Sequence, residues 1–63
     1  MKYTVQFIYF NKRGLQVVKT ISKTNFDILI KELKKYDIYF IDSVSKNLCE
    51  IDFNDYGIEC NYM

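Results

Sequence analysis

The segment from Lys2 to Phe10, KYTVQFIYF, alternates Tyr3, Val5, Phe7 and Tyr9 with Lys2, Thr4 and Gln6, and this two-residue period belongs to a half-buried β-strand. Ile8 and Phe10 put apolar side chains on the otherwise polar side. After Asn11-Lys12-Arg13-Gly14, the run LQVVKTIS carries Leu15, Val17 and Ile21 in phase with the first segment. A three-residue loop, Lys12 to Gly14, needs positive φ at its last position, which glycine adopts without a Cβ penalty. That loop length sets Tyr9 opposite Val17 and Val5 opposite Ile21, apolar against apolar. A loop of even length would oppose apolar and polar positions.

Thr24-Asn25-Phe26-Asp27 follows, with the Thr24 hydroxyl as expected N-cap and Asp27 three residues on, at the positive end of a helix. Phe26, Leu29, Ile30, Leu33 and Tyr36 recur at the spacing of one helical face, with Lys31, Glu32, Lys34 and Lys35 mainly on the other. Ile38 to Ile41 is β-branched and aromatic and is expected as a strand, and residues 42 to 47 as a polar turn. Leu48 to Phe53 alternates, with Cys49, Ile51 and Phe53 on one side and Leu48, Glu50 and Asp52 on the other. Asn54 to Gly57 is a turn signal, and Ile58, Cys60 and Tyr62 alternate in a short final segment. The expected fold is α+β: a small antiparallel sheet of four or five strands with one helix on one face, in the order β-β-α-β-β(-β).

With 63 residues, the chain is expected to form a single domain over residues 1–63. Its 49% hydrophobic content is far above that of a disordered segment. It has no apolar run long enough to span a membrane and opens directly into alternation, so a cytoplasmic protein is expected. Two cysteines are too few for a secreted disulfide framework, and Cys49 and Cys60 are expected to stay unpaired. Ile, Asn, Lys, Tyr and Phe fill about half of the chain. Their AT-rich codons point to a low-GC bacterium or to one of its phages or plasmids.

No histidine is present, which removes Ser-His and Cys-His nucleophile pairs. The carboxylates Glu50, Asp52, Asp55 and Glu59 lie close in sequence, but a domain of this size can hardly enclose a water-poor pocket, so no enzymatic activity is expected. Asp52 to Gly57 begins like a calcium loop and departs from one at Tyr56, its fifth position, and at Met63, its twelfth. Cys49 and Cys60 supply half of a zinc site at most. Two glycines cannot build a phosphate-binding loop, so neither cofactor nor metal is expected.

What remains is surface. One helix covers one sheet face, taken here as that of Tyr3, Val5, Phe7, Tyr9, Leu15, Val17 and Ile21. On the other, Ile8, Phe10, Val18, Leu48 and one of the pairs Tyr39/Ile41 or Ile38/Phe40 would be exposed. Such a patch points to a protein partner or a homodimer. The partner-binding set is thus Ile8, Phe10, Val18, Tyr39, Ile41 and Leu48. Charge is divided: residues 1 to 35 hold eight Lys/Arg and two acids, about +6, and residues 36 to 63 hold one Lys and six acids, about −5. The acidic set Asp42, Glu50, Asp52, Asp55 and Glu59 is a second candidate contact, suited to a basic channel. The expected function is a non-enzymatic, self-associating protein-binding module, such as a phage or plasmid inhibitor or regulator that blocks a partner surface. The alternative is a small nucleic-acid-binding or transcription-regulating domain that places Lys12, Arg13, Lys31, Lys34 and Lys35 on phosphates.

Overall fold

A computed structural model describes residues 1–59 and the backbone of residues 61–62. Strands β1 (Tyr3–Phe10) and β2 (Gln16–Lys23) form the expected hairpin, with Tyr9 opposite Val17 and Val5 opposite Ile21. Gly14 takes φ 76° and donates its N–H to the Asn11 carbonyl at 2.9 Å. The Asn11 side-chain oxygen accepts from Arg13 N–H at 2.9 Å and from Leu15 N–H at 3.0 Å, so the loop is held by its own first residue.

Helix α1 (Phe26–Leu33) buries Leu29, Ile30 and Leu33 as the spacing requires, with Phe26 packed against the core. Its cap is Asn25 and not the expected Thr24: the Asn25 side chain accepts from the N–H groups of Asp27 and Ile28 at 2.9 and 3.3 Å. Asparagine is among the strongest N-caps, and the chain turns helical one residue later than the threonine would require. The helix ends before Tyr36, whose ring still packs on Phe7 at 5.1 Å and Tyr9 at 4.7 Å between centroids.

Strand β3 (Asp37–Ser43) pairs antiparallel with β1, so three long strands lie in the order β2-β1-β3. The expectation of four or five antiparallel strands fails after this point. Residues 48 to 53 form no strand: Leu48 ends one short 3-10 turn, Lys46–Leu48, and Phe53 begins another, Phe53–Tyr56. Leu48 and Phe53 are both fully buried, and a strand puts residues five apart on opposite faces. Hence the segment cannot be extended and still bury both. The last element, β4 (Asn61–Tyr62), lies parallel to β3, which requires a crossover in place of the expected hairpin. The crossover carries Leu48, Phe53 and Ile58 into the core beside α1, because an eight-residue helix is too short to cover the sheet alone. Cys60, in the expected final strand, lies outside the described residues.

The turn expected at Asn54 to Gly57 is present, with the Asp52 carboxylate accepting from Asn54 N–H at 3.0 Å and Gly57 closing it at φ 80°. Leu15 departs from the core assigned to it and is 60% exposed. It closes the hairpin loop opposite Asn11, beyond the last laddered pair, Phe10 with Gln16.

Candidate functional surfaces

Cross-strand partners share a face, so the register assigns every strand residue to a side. Tyr3, Val5, Phe7 and Tyr9 face α1 together with Lys23, Ile21, Lys19 and Val17. The uncovered face carries Thr4, Gln6, Ile8 and Phe10 from β1 and Ser22, Thr20, Val18 and Gln16 from β2. From β3 it receives Asp42, opposite Gln6, Phe40, opposite Ile8, and Asp37, opposite Phe10.

A β-bulge then shifts the register, because Ile8 pairs with Phe40 while Tyr9 pairs with Ile38. Tyr39 is the inserted residue, and its ring meets Phe10 edge-on at 5.6 Å on the uncovered side. Neither expected pair survives intact: Tyr39 and Phe40 lie on the uncovered face, while Ile38 and Ile41 turn to the core. An even alternation cannot register an inserted residue.

Of the six residues expected to bind a partner, Ile8, Phe10, Val18 and Tyr39 come together on the uncovered face near the hairpin loop, Val18 being 61% and Tyr39 46% exposed. The other two are corrected. Ile41 and Leu48 are fully buried, Ile41 between β1 and the covering elements and Leu48 at the end of its 3-10 turn, so neither reaches a partner. Phe40 takes their place. The far end of the same face is polar, with Thr4 and Ser22 joined by a 2.9 Å hydroxyl hydrogen bond.

The acidic set does not form one face. Asp42, Glu50 and Asp52 line an open depression of about 560 Å³ with Ser43, Cys49 and Asn54. Ser43 Oγ is buried there without a hydrogen-bond partner among the described residues. Cys49 is exposed, and its thiol is directed at the Ser43 and Ser45 carbonyls, each at 3.6 Å. Asp55 lies on the second 3-10 turn, and Glu59 borders a separate depression of about 280 Å³ that Lys34 also lines.

The basic set is likewise split. Lys34 reaches to within 3.9 Å of where a β-carbon on Gly57 would stand, on the crossover side of α1. At 100° per residue Lys31 lies between Lys34 and Lys35, about 60° from the first and about 40° from the second, and so belongs to neither flank alone. Lys12 and Lys35 line a different open depression, of about 480 Å³, with Tyr9, Phe10, Asn11, Tyr36 and Asp37. Arg13 is exposed in the hairpin loop beside Lys12. Lys19 stands near that depression, its Nζ 5.9 Å from the centre of the Tyr36 ring. Lys19 lies outside the basic set expected from the sequence, although its in-phase position on β2 marks it for the helix side.

Lys35 Nζ donates to Glu32 Oε1 at 3.0 Å. That hydrogen bond and charge hold the Glu32 carboxyl below the ordinary glutamate value, with lesser contributions from Lys23 and Lys19. A carboxyl whose folded pKa lies below its unfolded value stabilises the fold above the unfolded pKa, and the contribution is lost as pH falls through the folded one. In a carbon-detected NMR titration, Glu32 should therefore titrate below an ordinary glutamate, and Lys35→Met should move it most of the way back. A normal midpoint in the unaltered chain would refute the pairing in solution.

No known family model matches the chain, and comparison with curated proteins and with solved structures returns no relative. No helix among the described residues is long and apolar enough to cross a membrane.

Proposed function

We propose that this chain is a non-enzymatic protein-binding module whose contact surface is the apolar end of the uncovered sheet face, and that a second copy of the chain is its first occupant. The observation that carries the reading is the clustering of Ile8, Phe10, Val18, Tyr39 and Phe40, with Asp37 at their edge opposite Phe10, on a face that no helix among the described residues covers. Aromatic and aliphatic anchors without charge are what the centre of a protein interface requires. A sheet this small gains stability when a partner removes that face from water. The same docking would let the module block the surface of another protein, as an inhibitor or regulator encoded by a phage or plasmid would.

Light scattering and sedimentation over a concentration series test the reading. The unaltered chain should pass from monomer to dimer as concentration rises. Val18→Glu should weaken association at least tenfold by placing an unpaired charge in the contact, while Thr20→Glu at the polar end should have a small effect. A chain that stays monomeric into the millimolar range, with no captured protein that Val18→Glu releases, would overturn it.

A further inference from the structure

We propose that the flank of α1 facing β2 and the hairpin loop binds single-stranded nucleic acid, with lysines on the phosphates and the tyrosines of the adjoining depression against bases. This surface lies mainly on the helix side of the sheet and meets the apolar patch only at its edge, where Phe10 also lines the depression. Lys23 and Lys19 stand in one row on the helix side of β2, opposite Tyr3 and Phe7. Four residues of strand separate them, about 13 Å at 3.3 Å per residue. Lys35 and Lys12 continue the row towards the hairpin loop, where both border the depression that Tyr9 and Tyr36 line. Four ammonium groups thus face two carboxylates: Glu32, which Lys35 already holds, and Asp37. The Glu32 carboxyl is held below its ordinary value chiefly by the Lys35 hydrogen bond and charge, with Lys23 and Lys19 adding to it, which agrees with this row of lysines.

A simpler role exists for two of these residues. β2 is an edge strand, and edge lysines discourage pairing with other chains. That role accounts for Lys19 and Lys23 but not for Lys12 and Lys35, which are off the strand and share a tyrosine-lined depression. Tyr9 and Tyr36 are half-buried, packed on Phe7 and on each other, so bases would meet the ring surface that these contacts leave to the depression, and duplex DNA presents no base faces to it. The proposal therefore commits to a single strand.

The test is fluorescence polarisation of a labelled 15-nucleotide oligothymidine with the full-length chain, beside a 15-base-pair duplex and a 15-residue polyglutamate. Binding should be tightest for the oligothymidine. With three or four phosphates neutralised, it should weaken about 20- to 50-fold between 50 and 200 mM salt. The double variant Lys12→Glu/Lys19→Glu should weaken it more than tenfold. Lys34→Glu, in the neighbouring depression, and Val18→Glu, on the other face, should leave it within about twofold, which separates failure here from failure of the protein-binding reading. Circular dichroism checks that each variant is folded. No binding at 50 mM salt, equal or tighter binding of the duplex or polyglutamate, or equal sensitivity to Lys34→Glu would each overturn the proposal.

Discussion

Leu48→Ala is expected to lower the free energy of unfolding by about 2–5 kcal/mol, as measured by urea denaturation, while Cys49→Ala next to it changes stability by less than about 1 kcal/mol. Leu48 is fully buried, and Cys49 is exposed. The loss has two parts, the apolar side chain returned to water and the cavity left among groups that cannot close over it. The contrast between neighbours is diagnostic. If residues 48 to 53 were a strand with Cys49, Ile51 and Phe53 inward, the order of the two effects would reverse. A cysteine variant costlier than the leucine variant would restore the fourth antiparallel strand and discard the crossover.

Phe7→Ala should be costlier still, about 3–5 kcal/mol. Phe7 is fully buried at the centre of β1, between Lys19 of β2 and Ile41 of β3, with its ring on Tyr9 and Tyr36. A domain of this length stands near the lower end of the usual stability range, about 5 kcal/mol, so the variant should be largely unfolded at 37 °C. Gln6→Ala, one residue away on the uncovered face, should unfold within about 0.5 kcal/mol of the unaltered chain. Similar losses at both positions would mean that β1 is covered on both sides, and the uncovered face would have to be abandoned.

These two residues mark where the sequence was legible. Phe7 belongs to an alternation of eight residues closed by a glycine loop, and local sterics alone fix both its face and its partner. Leu48 belongs to an alternation of six residues with no such closure, and six residues fit a strand about as well as they fit two tight turns. Burial decided between them. The helix was similarly legible from Phe26 to Leu33, while its cap moved by one residue because threonine and asparagine stand side by side and both can cap.

The candidate surfaces were legible to a lesser degree. Ile8, Phe10, Val18 and Tyr39 could be assigned to an uncovered face because two of them break the polar side of a strand. Ile41 could not be separated from Tyr39, since the bulge that parts them depends on how β3 meets β1. Charged residues were the least legible. A lysine's sequence position gives its helix or strand face, but which lysines become neighbours follows from the packing of α1 against β2.

The sequence by itself determined the β1-β2 hairpin with its register, the amphipathic helix and the presence of β3, because each is specified within a dozen residues by periodicity and turn chemistry. Only the tertiary structure decided that the C-terminal segment crosses over to complete the core, that Tyr39 bulges outward while Ile41 turns in, and that Lys12 and Lys35 line one depression while Lys34 lines its neighbour. Those outcomes depend on contacts between residues far apart in the chain, and short-range patterns carry no information about them.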